Sequence, residues 1–178
     1  MPEHGRRLVL TGEDLRGAST VVSDEQITTL EIGLAPGWGF ERIWASAAPP
    51  PADHDGRDHD GADYYPPHGE LRVGSFTIPP AGTGAVREDG VDLTAEAEEF
   101  LPGGLRFHDP DRPGFHRTPT VDVLVVLAGR VHLELDTGST ELGPGDVVVQ
   151  RATAHAWSNP GPEPASVFYT TLGARAGE

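Results

Sequence analysis

The chain of 178 residues contains no cysteine. A disulfide framework, a thiolate metal ligand and a thiol nucleophile are therefore excluded. Lysine is absent as well, so all 13 cationic side chains are arginine. Because alanine, glycine, proline and aspartate are abundant, we interpret this bias as the codon usage of a GC-rich genome and not as a functional signal.

Positive charge is scarce relative to negative charge. The formal net charge is -15 and the pI is near 4.8. A field of this sign repels phosphate backbones and anionic lipid surfaces, so we expect neither nucleic acid nor a membrane as a partner. The length suits one domain with a full core plus extensions, and no secretory signal or transmembrane helix is readable. A soluble cytoplasmic protein is the default expectation.

The N-terminal part of the chain predicts short strands followed by a loop. Gly, Pro and Asp separate four β-type runs, at residues 8–10, 19–22, 28–32 and 40–44. Residues 49–69 are rich in Pro, Asp and His and hold too little apolar surface to fold alone. We therefore predict an N-terminal β-arm with a Pro/Asp-rich loop over residues 1–69 and a main barrel over residues 70–178.

The barrel segment predicts an all-β fold with one short helix. Residues 94–101 form the helix, with Asp92 or Thr94 as its cap and acidic residues in its first turns. From Val121 onward strands follow at short spacing, joined by turns at residues 136–138 and 143–146. Many short antiparallel strands with Gly/Pro turns are typical of a single jelly-roll barrel.

Hydrophobic patterns predict which strand faces are buried. Residues 123–127 are apolar without alternation, which indicates a strand buried on both faces. The next strand alternates apolar residues with His132 and Glu134, which gives one core face and one polar face. We expect an apolar barrel interior formed by Val123, Val125, Leu133, Val147 and Val149.

Two histidines and an aspartate lie beside these apolar runs. His116 and Asp122 belong to the stretch Phe-His-Arg-Thr-Pro-Thr-Val-Asp, and His155 begins the stretch His-Ala-Trp-Ser-Asn. Two imidazoles and a carboxylate on one face are the donor set of a mononuclear metal site with open positions. A metal site is therefore the first hypothesis for these three residues.

The first stretch resembles the first motif of the cupin superfamily. That motif usually reads His-x-His, three or four residues, Glu, six residues and Gly. Here His116 takes the first place, Asp122 the Glu place and Gly129 the closing Gly place. The second His of the motif is absent, and Thr118 stands in its position.

The second stretch resembles the second cupin motif, which usually ends Gly-x-x-His-x-x-x-Asn. Ala152 replaces the Gly, while His155 and Asn159 match. The resemblance covers roughly residues 105–172 and is closest to small single-domain cupins with an N-terminal extension. The resemblance is strong evidence for the fold and weak evidence for the reaction.

The resemblance implies that His116, Asp122 and His155 meet in the barrel mouth and bind one divalent ion (Fe, Zn, Ni or Mn) as the catalytic site. Thr118, in place of a donor, would leave an extra coordination position for substrate or water. Gln150 and Thr118 are candidates for contacting the substrate. The alternative is a site without metal, in which His155 is a hydrogen-bonded core histidine and Asp122 caps a turn.

Several other polar residues have both a functional and a structural interpretation. His108 is also a candidate substrate contact or proton shuttle, although we favour a simple bond to a loop carbonyl. His54 and His59 resemble a metal-binding string, but we interpret them as part of a solvated acidic loop. By strand alternation Arg117 points away from the site, and Asn159 is expected to fix the turn after His155.

Two classes of function follow from the resemblance. The first is a metal-dependent small-molecule enzyme on an oxygenated, enolisable aromatic or polyketide-like substrate. Its metal would be a Lewis acid for cyclisation, isomerisation, dehydration or decarboxylation, or Fe in a dioxygenase. The second is a metal-free cupin that binds or senses a small ligand. A homodimer is also expected, because the strand-rich arm needs a surface to bury its apolar residues.

Overall fold

Residues 7–13, 19–46, 63–83 and 92–175 are described by the computed structural model. Within these ranges the chain forms eleven strands and one short helix, which confirms the all-β prediction. No helix in this part of the chain is long and apolar enough to cross a membrane. Residues 49–62 of the predicted loop, with His54 and His59, lie outside the described residues.

The elements follow the predicted runs closely. The helix α1 (Leu93–Phe100) begins at Asp92, whose carboxylate accepts hydrogen bonds from the amides of Thr94 and Ala95. The strands are β1 (Arg7–Glu13), β2 (Ser19–Gln26), β3 (Leu30–Glu31), β4 (Gly39–Ser46), β5 (Leu71–Ile78), β6 (Thr120–Ala128), β7 (Val131–Leu135), β8 (Ser139–Leu142), β9 (Val147–Arg151), β10 (His155–Ser158) and β11 (Ala165–Gly173).

The strands form three antiparallel sheets. A six-stranded sheet has the order β3-β4-β5-β11-β6-β9, and a three-stranded sheet has the order β10-β7-β8. The main core cluster joins them, because Val131 of β7 packs with buried residues of β5, β6 and β11. The third sheet is the hairpin β1–β2.

Part of the predicted N-terminal arm is built into the large sheet. Strand β4 pairs with β5 along most of its length, and β3 pairs with β4. A second core cluster packs Ile32 against Ala97 and Leu101, which brings α1 over this end of the sheet. The amide of Gly33 donates to Glu96 of the helix at 2.7 Å. Residues 30–46 therefore help to shape the interior between the sheets.

The prediction that residues 123–127 are buried on both faces is wrong. Leu124 and Val126 are 6% and 3% exposed, whereas Val123 and Leu127 are 44% and 46% exposed. The strand alternates as any pleated strand does, and its second apolar face points outward. An apolar run cannot by itself show whether the second face is covered.

The prediction that Val147 and Val149 of β9 line the barrel interior is also wrong. Leu133 is buried as expected and Val125 is half-buried. Val147 and Val149, however, are 60% and 58% exposed, because β9 directs Val148 and Gln150 inward. The outer side of the large sheet is therefore more apolar than the sequence pattern alone indicated.

Gly74 of β5 is needed for the packing of Tyr169. A Cβ at this position would lie 2.6 Å from the carbonyl oxygen of Glu41 and would overlap the Tyr169 hydroxyl. We expect Gly74→Ala to lower the free energy of unfolding by about 1–3 kcal/mol, because the tyrosine or β4 must move. Urea unfolding measures this effect. Gly143→Ala is the matched control, because a Cβ there approaches one atom only, at 4.0 Å; equal losses for both variants would contradict the prediction.

Candidate functional site

A cavity of about 480 Å³ lies between the two sheets and α1. Most of its wall is aromatic or aliphatic, and a few polar side chains converge on it, which is the usual composition of a small-molecule site. The aromatic lining residues are Trp38, Phe40, Tyr64, Tyr65, Phe76, Trp157 and Tyr169. The polar lining residues are His108, His116, Asp122, His155 and Thr171.

His116 and His155 face each other on the cavity wall. The backbones form a bridge, with amide-to-carbonyl hydrogen bonds of 3.0 Å and 3.1 Å in the two directions. The ring centroids are 4.3 Å apart. Two histidines 39 positions apart are thus held side by side by the backbone, as the motif resemblance implied.

The hydrogen bonds of the two rings define their tautomers. Nδ1 of His116 lies 3.2 Å from the Gly114 carbonyl oxygen, and Nδ1 of His155 lies 2.8 Å from the Thr153 carbonyl oxygen. Because a carbonyl oxygen only accepts, we assign the proton of each neutral ring to Nδ1. The lone pair of each ring then resides on Nε2, available to take a proton or to bind an ion.

Both imidazoles are held in the neutral form. Burial, with a smaller contribution from the neighbouring His155, lowers the pKa of His116 to about 4. Burial also lowers the pKa of His155, while its bond to Thr153 acts in the opposite direction. At neutral pH the pair therefore presents two uncharged bases to the cavity.

His108 is the third member of a row of histidines. Its ring stacks on that of His116 with centroids 5.3 Å apart, and a backbone bridge joins the two residues. His108 is exposed, His116 is half-buried and His155 is buried, so the row runs from the surface to the cavity. Burial lowers the pKa of His108, and bonds to the backbone of Leu105 and Gly104 partly offset this. The favoured interpretation of a loop-bonded histidine agrees with these contacts.

Asp122 presents a carboxyl group to the same cavity. It lies on the inward face of β6, and burial raises its pKa to about 6 against the opposing hydrogen bonds of Thr120 and Thr171. One carboxyl oxygen, Oδ1, is buried and has no hydrogen-bond partner in the described part of the protein. A buried oxygen without a partner costs free energy, so a bound ligand that supplies a donor would be favoured here.

Three tyrosines line the wall around these groups. Tyr64 and Tyr169 are hydrogen-bonded to each other, and burial raises the pKa of Tyr64 to about 12. The ring of Tyr65 is 6.2 Å from that of His116, and burial holds the pKa of Tyr65 well above its usual range. All three hydroxyl groups therefore keep their protons at neutral pH.

The aromatic part of the wall is not among the sequence predictions, which place Tyr64 and Tyr65 in the polar loop and Trp38 and Phe40 in an arm outside the barrel. A signal was present in Tyr64-Tyr65-Pro66-Pro67, an apolar and rigid stretch at the end of a polar segment. Such a stretch is typical of a loop that returns to a core.

Two predicted substrate contacts do not line the cavity. Thr118 is buried and shares a 2.7 Å hydrogen bond with Thr120, which in turn contacts Asp122. Gln150 is buried and its amide donates to Thr153, the residue whose carbonyl holds His155. Neither side chain is among the cavity-lining residues. Instead, Thr118 and Gln150 support Asp122 and His155, which do line the cavity.

Two structural predictions about the neighbouring residues are confirmed. Asn159 donates from Nδ2 to the carbonyl oxygens of Ile78 and Glu163 and accepts from Gly161, which fixes the turn after β10. Arg117 is exposed, and its guanidinium donates to the carbonyl oxygen of Ala152 at 2.9 Å.

The donor set for a resident metal is incomplete in this arrangement. Among the residues that the structure describes, no three His, Cys, Asp or Glu side chains are close enough to hold one ion. The imidazoles of His116 and His155 are adjacent, but the carboxylate of Asp122 does not join them as a third donor. Two imidazole donors are thus adjacent and the carboxylate is not grouped with them, and metal binding by His116, Asp122 and His155 stays a prediction.

Curated relatives of the chain come from fungal biosynthesis clusters. Oryzines biosynthesis cluster protein J of Aspergillus oryzae is 34% identical over 110 residues, which cover 58% of this chain and 60% of that protein. Phomopsin biosynthesis cluster protein D of Diaporthe leptostromiformis is 51% identical over 67 residues, 34% of this chain and 35% of that protein. The chain thus spans from about a third to three fifths of the length of these relatives.

A shorter match carries a more specific name. The Cupin-domain-containing oxidoreductase fogC of Aspergillus ruber is 47% identical over 45 residues, 25% of this chain and 22% of that protein. In addition, residues 98–171 match the family model described as Cupin domain. This stretch includes both motifs and the strands that bring His116 and His155 together, and the match over it supports the predicted membership of the cupin superfamily.

Proposed function

We propose that this cupin is a biosynthetic enzyme that enolises a neutral aromatic ketone or polyketide-like substrate by acid–base catalysis. The observation that carries the proposal is the pair of neutral imidazoles, His116 and His155, on the wall of an aromatic cavity. Enolisation is the common first step of the isomerisations and cyclisations expected for such substrates. The biosynthesis-cluster relatives support a role of this kind.

The base in this proposal is an Nε2 atom of the histidine pair. With Nδ1 engaged by a carbonyl oxygen, Nε2 is the nitrogen that can remove a proton from the carbon beside the substrate carbonyl. A positive charge on one ring lowers the pKa of the other, so the pair takes up a single proton. That proton can then be returned to a different atom of the enolate, which completes an isomerisation.

The developing negative charge on the substrate oxygen needs a hydrogen-bond donor. Tyr65 keeps its hydroxyl proton and lies beside His116. Asp122, with a pKa of about 6, also supplies a protonated carboxyl group in part of the molecules at neutral pH. Donors held in a buried site stabilise an enolate more strongly than water does.

The cavity favours an uncharged substrate. In the described part of the chain no Arg side chain lines it, although 13 arginines are present in the sequence. A carboxylate or phosphate group would therefore meet aromatic rings, neutral histidines and an acidic residue. An aromatic ketone finds stacking surfaces and hydrogen-bond partners instead.

The proposal predicts exchange of carbon-bound hydrogen without added metal. Hydroxylated aryl ketones such as 2,4-dihydroxyacetophenone are incubated with the protein in D2O, and loss of the α-proton signal is followed by NMR. We expect exchange above the buffer rate, both before and after treatment with EDTA, with metal content measured on the same samples. Ligand binding with no exchange for any ketone in the panel would overturn enolisation and favour the metal-free binding or sensing cupin.

A metal-dependent enzyme is the second candidate. It is favoured by the free Nε2 atoms of both histidines, by the unpartnered Asp122 oxygen and by the relative named as an oxidoreductase. The same assay separates the candidates. Exchange or oxidation that requires stoichiometric Fe, Zn, Ni or Mn, and that EDTA removes, would replace the metal-free proposal.

A further inference from the structure

The polar groups of the cavity are gathered at one end of it. The rings of His116 and His155 lie side by side, and the ring of Tyr65 is 6.2 Å from that of His116. After burial and the charge of Tyr64, the charge of Asp122 also raises the pKa of Tyr65, so the carboxyl group lies near the same ring. We call this part of the wall the polar end.

A row of aromatic rings leads away from the polar end along one side of the cavity. Trp157 and Phe76 follow His155, with successive ring centroids 5.8 Å and 6.2 Å apart. Trp38 lies 6.0 Å from Phe76, and Phe40 lies 6.1 Å from Trp38. All of these side chains line the cavity, so the wall continues well beyond the histidines.

The tyrosines form the other side of the cavity. The ring of Tyr64 lies 4.9 Å from that of Tyr65 and meets Phe40 edge-on at 6.3 Å. Both rows of rings therefore end at Phe40, across the cavity from His116. In the large sheet, Asp122 on β6 and Phe40 on β4 are separated by β11 and β5, which is about 14 Å along the sheet at about 4.8 Å per strand.

Beyond Phe40 the wall of the cavity is aliphatic. Phe40 packs against the small core cluster that joins Ile32 to α1. The lining residues contributed here by α1, its C-cap and the β3–β4 loop are Ile32, Leu34, Ala35, Pro36, Ala97 and Leu101. We call this set the aliphatic end. None of its side chains has a hydrogen-bonding group, so water finds no side-chain partner there.

The cavity is also larger than a simple aryl ketone. A volume of 480 Å³ holds about 16 non-hydrogen atoms at roughly 30 Å³ each, whereas 2,4-dihydroxyacetophenone has about 11. With the ketone at the polar end, the remaining space lies at the aliphatic end. This end also reaches the surface, because Leu34 lines the cavity and is 42% exposed.

We propose that the substrate is amphiphilic, an aryl ketone with an aliphatic chain on its ring, and that the chain occupies the aliphatic end. The position of the ketone at the polar end rests on the proposed function, whereas the position of the chain rests on the wall alone. Burial of methylene groups there is favourable, but a polar substituent would lose its hydrogen bonds to water without replacement. The two rows of rings hold the aromatic part between them.

Isothermal titration calorimetry with a series of chain lengths tests the proposal on the full-length protein. The probes are acetophenones with an ethyl, butyl, hexyl or octyl chain at the ring position opposite the ketone. We expect one ligand per protein molecule and an affinity that rises about 3–4-fold with each added methylene. The gain should end where the alkyl chain passes Leu34 into solvent, and the heat capacity change of binding should become more negative along the series.

Three variants locate the alkyl chain in the cavity. Ala35→Leu adds an isopropyl group to the aliphatic end and should lower the ratio of hexyl to ethyl affinity by about 10-fold or more, because it fills space that the longer chain needs. Ala95→Leu is the matched control, with the same change at an exposed position of α1 outside the cavity. Leu127→Gln removes an exposed apolar side chain from the outer side of the large sheet. Both controls should keep the wild-type ratio, and urea unfolding checks that all three variants fold.

Several results would overturn the aliphatic site. They are an affinity that does not change with chain length, no binding of any probe, an unchanged ratio in Ala35→Leu, or an equal loss of the ratio in either control. Deuterium exchange measured on the same probes separates this inference from the proposed function. Binding that strengthens with chain length but is not accompanied by exchange would contradict enolisation and leave the aliphatic site in place. Exchange with the same affinity for every chain length would do the reverse.

Discussion

Replacing His155 by asparagine should lower the rate of α-deuterium exchange by about 10²–10⁴-fold, which is the contribution that a positioned general base typically makes. The asparagine amide can still donate to the Thr153 carbonyl oxygen, as Nδ1 of His155 does at 2.8 Å. It has no counterpart of Nε2. The variant therefore removes the proposed base while it keeps the local hydrogen bond and most of the side-chain volume.

Two further variants give this experiment its controls. His155→Ala should lose activity as fully as His155→Asn, and His132→Ala should lose none, because His132 lies on β7 and does not line the cavity. Unfolding curves check that each variant is folded. Full activity in His155→Asn would contradict the assignment of the base. If both His155 variants lose a stoichiometric metal together with activity, the metal-binding prediction for His116, Asp122 and His155 is supported instead.

Replacing Asp122 by asparagine should stabilise the protein at neutral pH by as much as about 3 kcal/mol. Burial raises the pKa of Asp122 from 3.8 to about 6, and a shift of that size has this free-energy equivalent. Above pH 6 the carboxylate is charged in both states, and its burial opposes folding. Asparagine has nearly the same shape without the charge, and the hydroxyls of Thr120 and Thr171 remain as partners.

The direction of the Asp122 pKa shift sets the pH range over which Asp122→Asn changes stability. A carboxyl group whose pKa is raised in the folded protein contributes stability below its unfolded pKa, and that contribution is lost as the pH rises through the folded pKa. The advantage of Asp122→Asn should therefore shrink as the pH falls from about 6 toward 3.8. Urea unfolding across this range measures it. The control is Asp111→Asn at an exposed position, for which we expect a change within about 0.5 kcal/mol.

The contribution of His116 to stability has the opposite pH dependence. Its pKa is lowered to about 4, so it contributes stability above its unfolded pKa of 6.5 that is lost as the pH falls toward 4. In the wild-type protein the two groups oppose each other over nearly the same window. Asp122→Asn removes one of them, and the variant should become more sensitive to acid than wild type. An equal or smaller sensitivity would show that one of the two shifts is wrong.

Local patterns determined the elements and their order. Local patterns predicted the helix within one residue and the turns that join β7 to β8 and β8 to β9. These features depend on backbone preferences and short-range hydrogen bonds, which a sequence expresses directly. The resemblance to cupins also implied that His116 and His155 lie close together, because the two motifs meet in the mouth of the cupin barrel.

Long-range packing decided what surrounds those residues. No local pattern shows that Tyr64, Tyr65, Trp38 and Phe40 close the cavity, since their contacts are with strands far along the chain. Likewise, whether the second face of a strand is covered depends on its neighbours, and so the apolar run at residues 123–127 does not show that one of its faces is exposed.

The chemistry of the site also depends partly on the sequence alone and partly on the tertiary structure. The sequence by itself determined the donor and base types available: histidine and aspartate, without cysteine or lysine. Only the tertiary structure decided their protonation and grouping, because pKa values depend on burial and neighbouring charge, and shared ligation depends on distances between separate strands. Burial makes His116 and His155 neutral bases and keeps Asp122 partly protonated. The backbone bridge pairs the two imidazoles, and among the described residues the carboxyl group of Asp122 does not form a three-donor group with them.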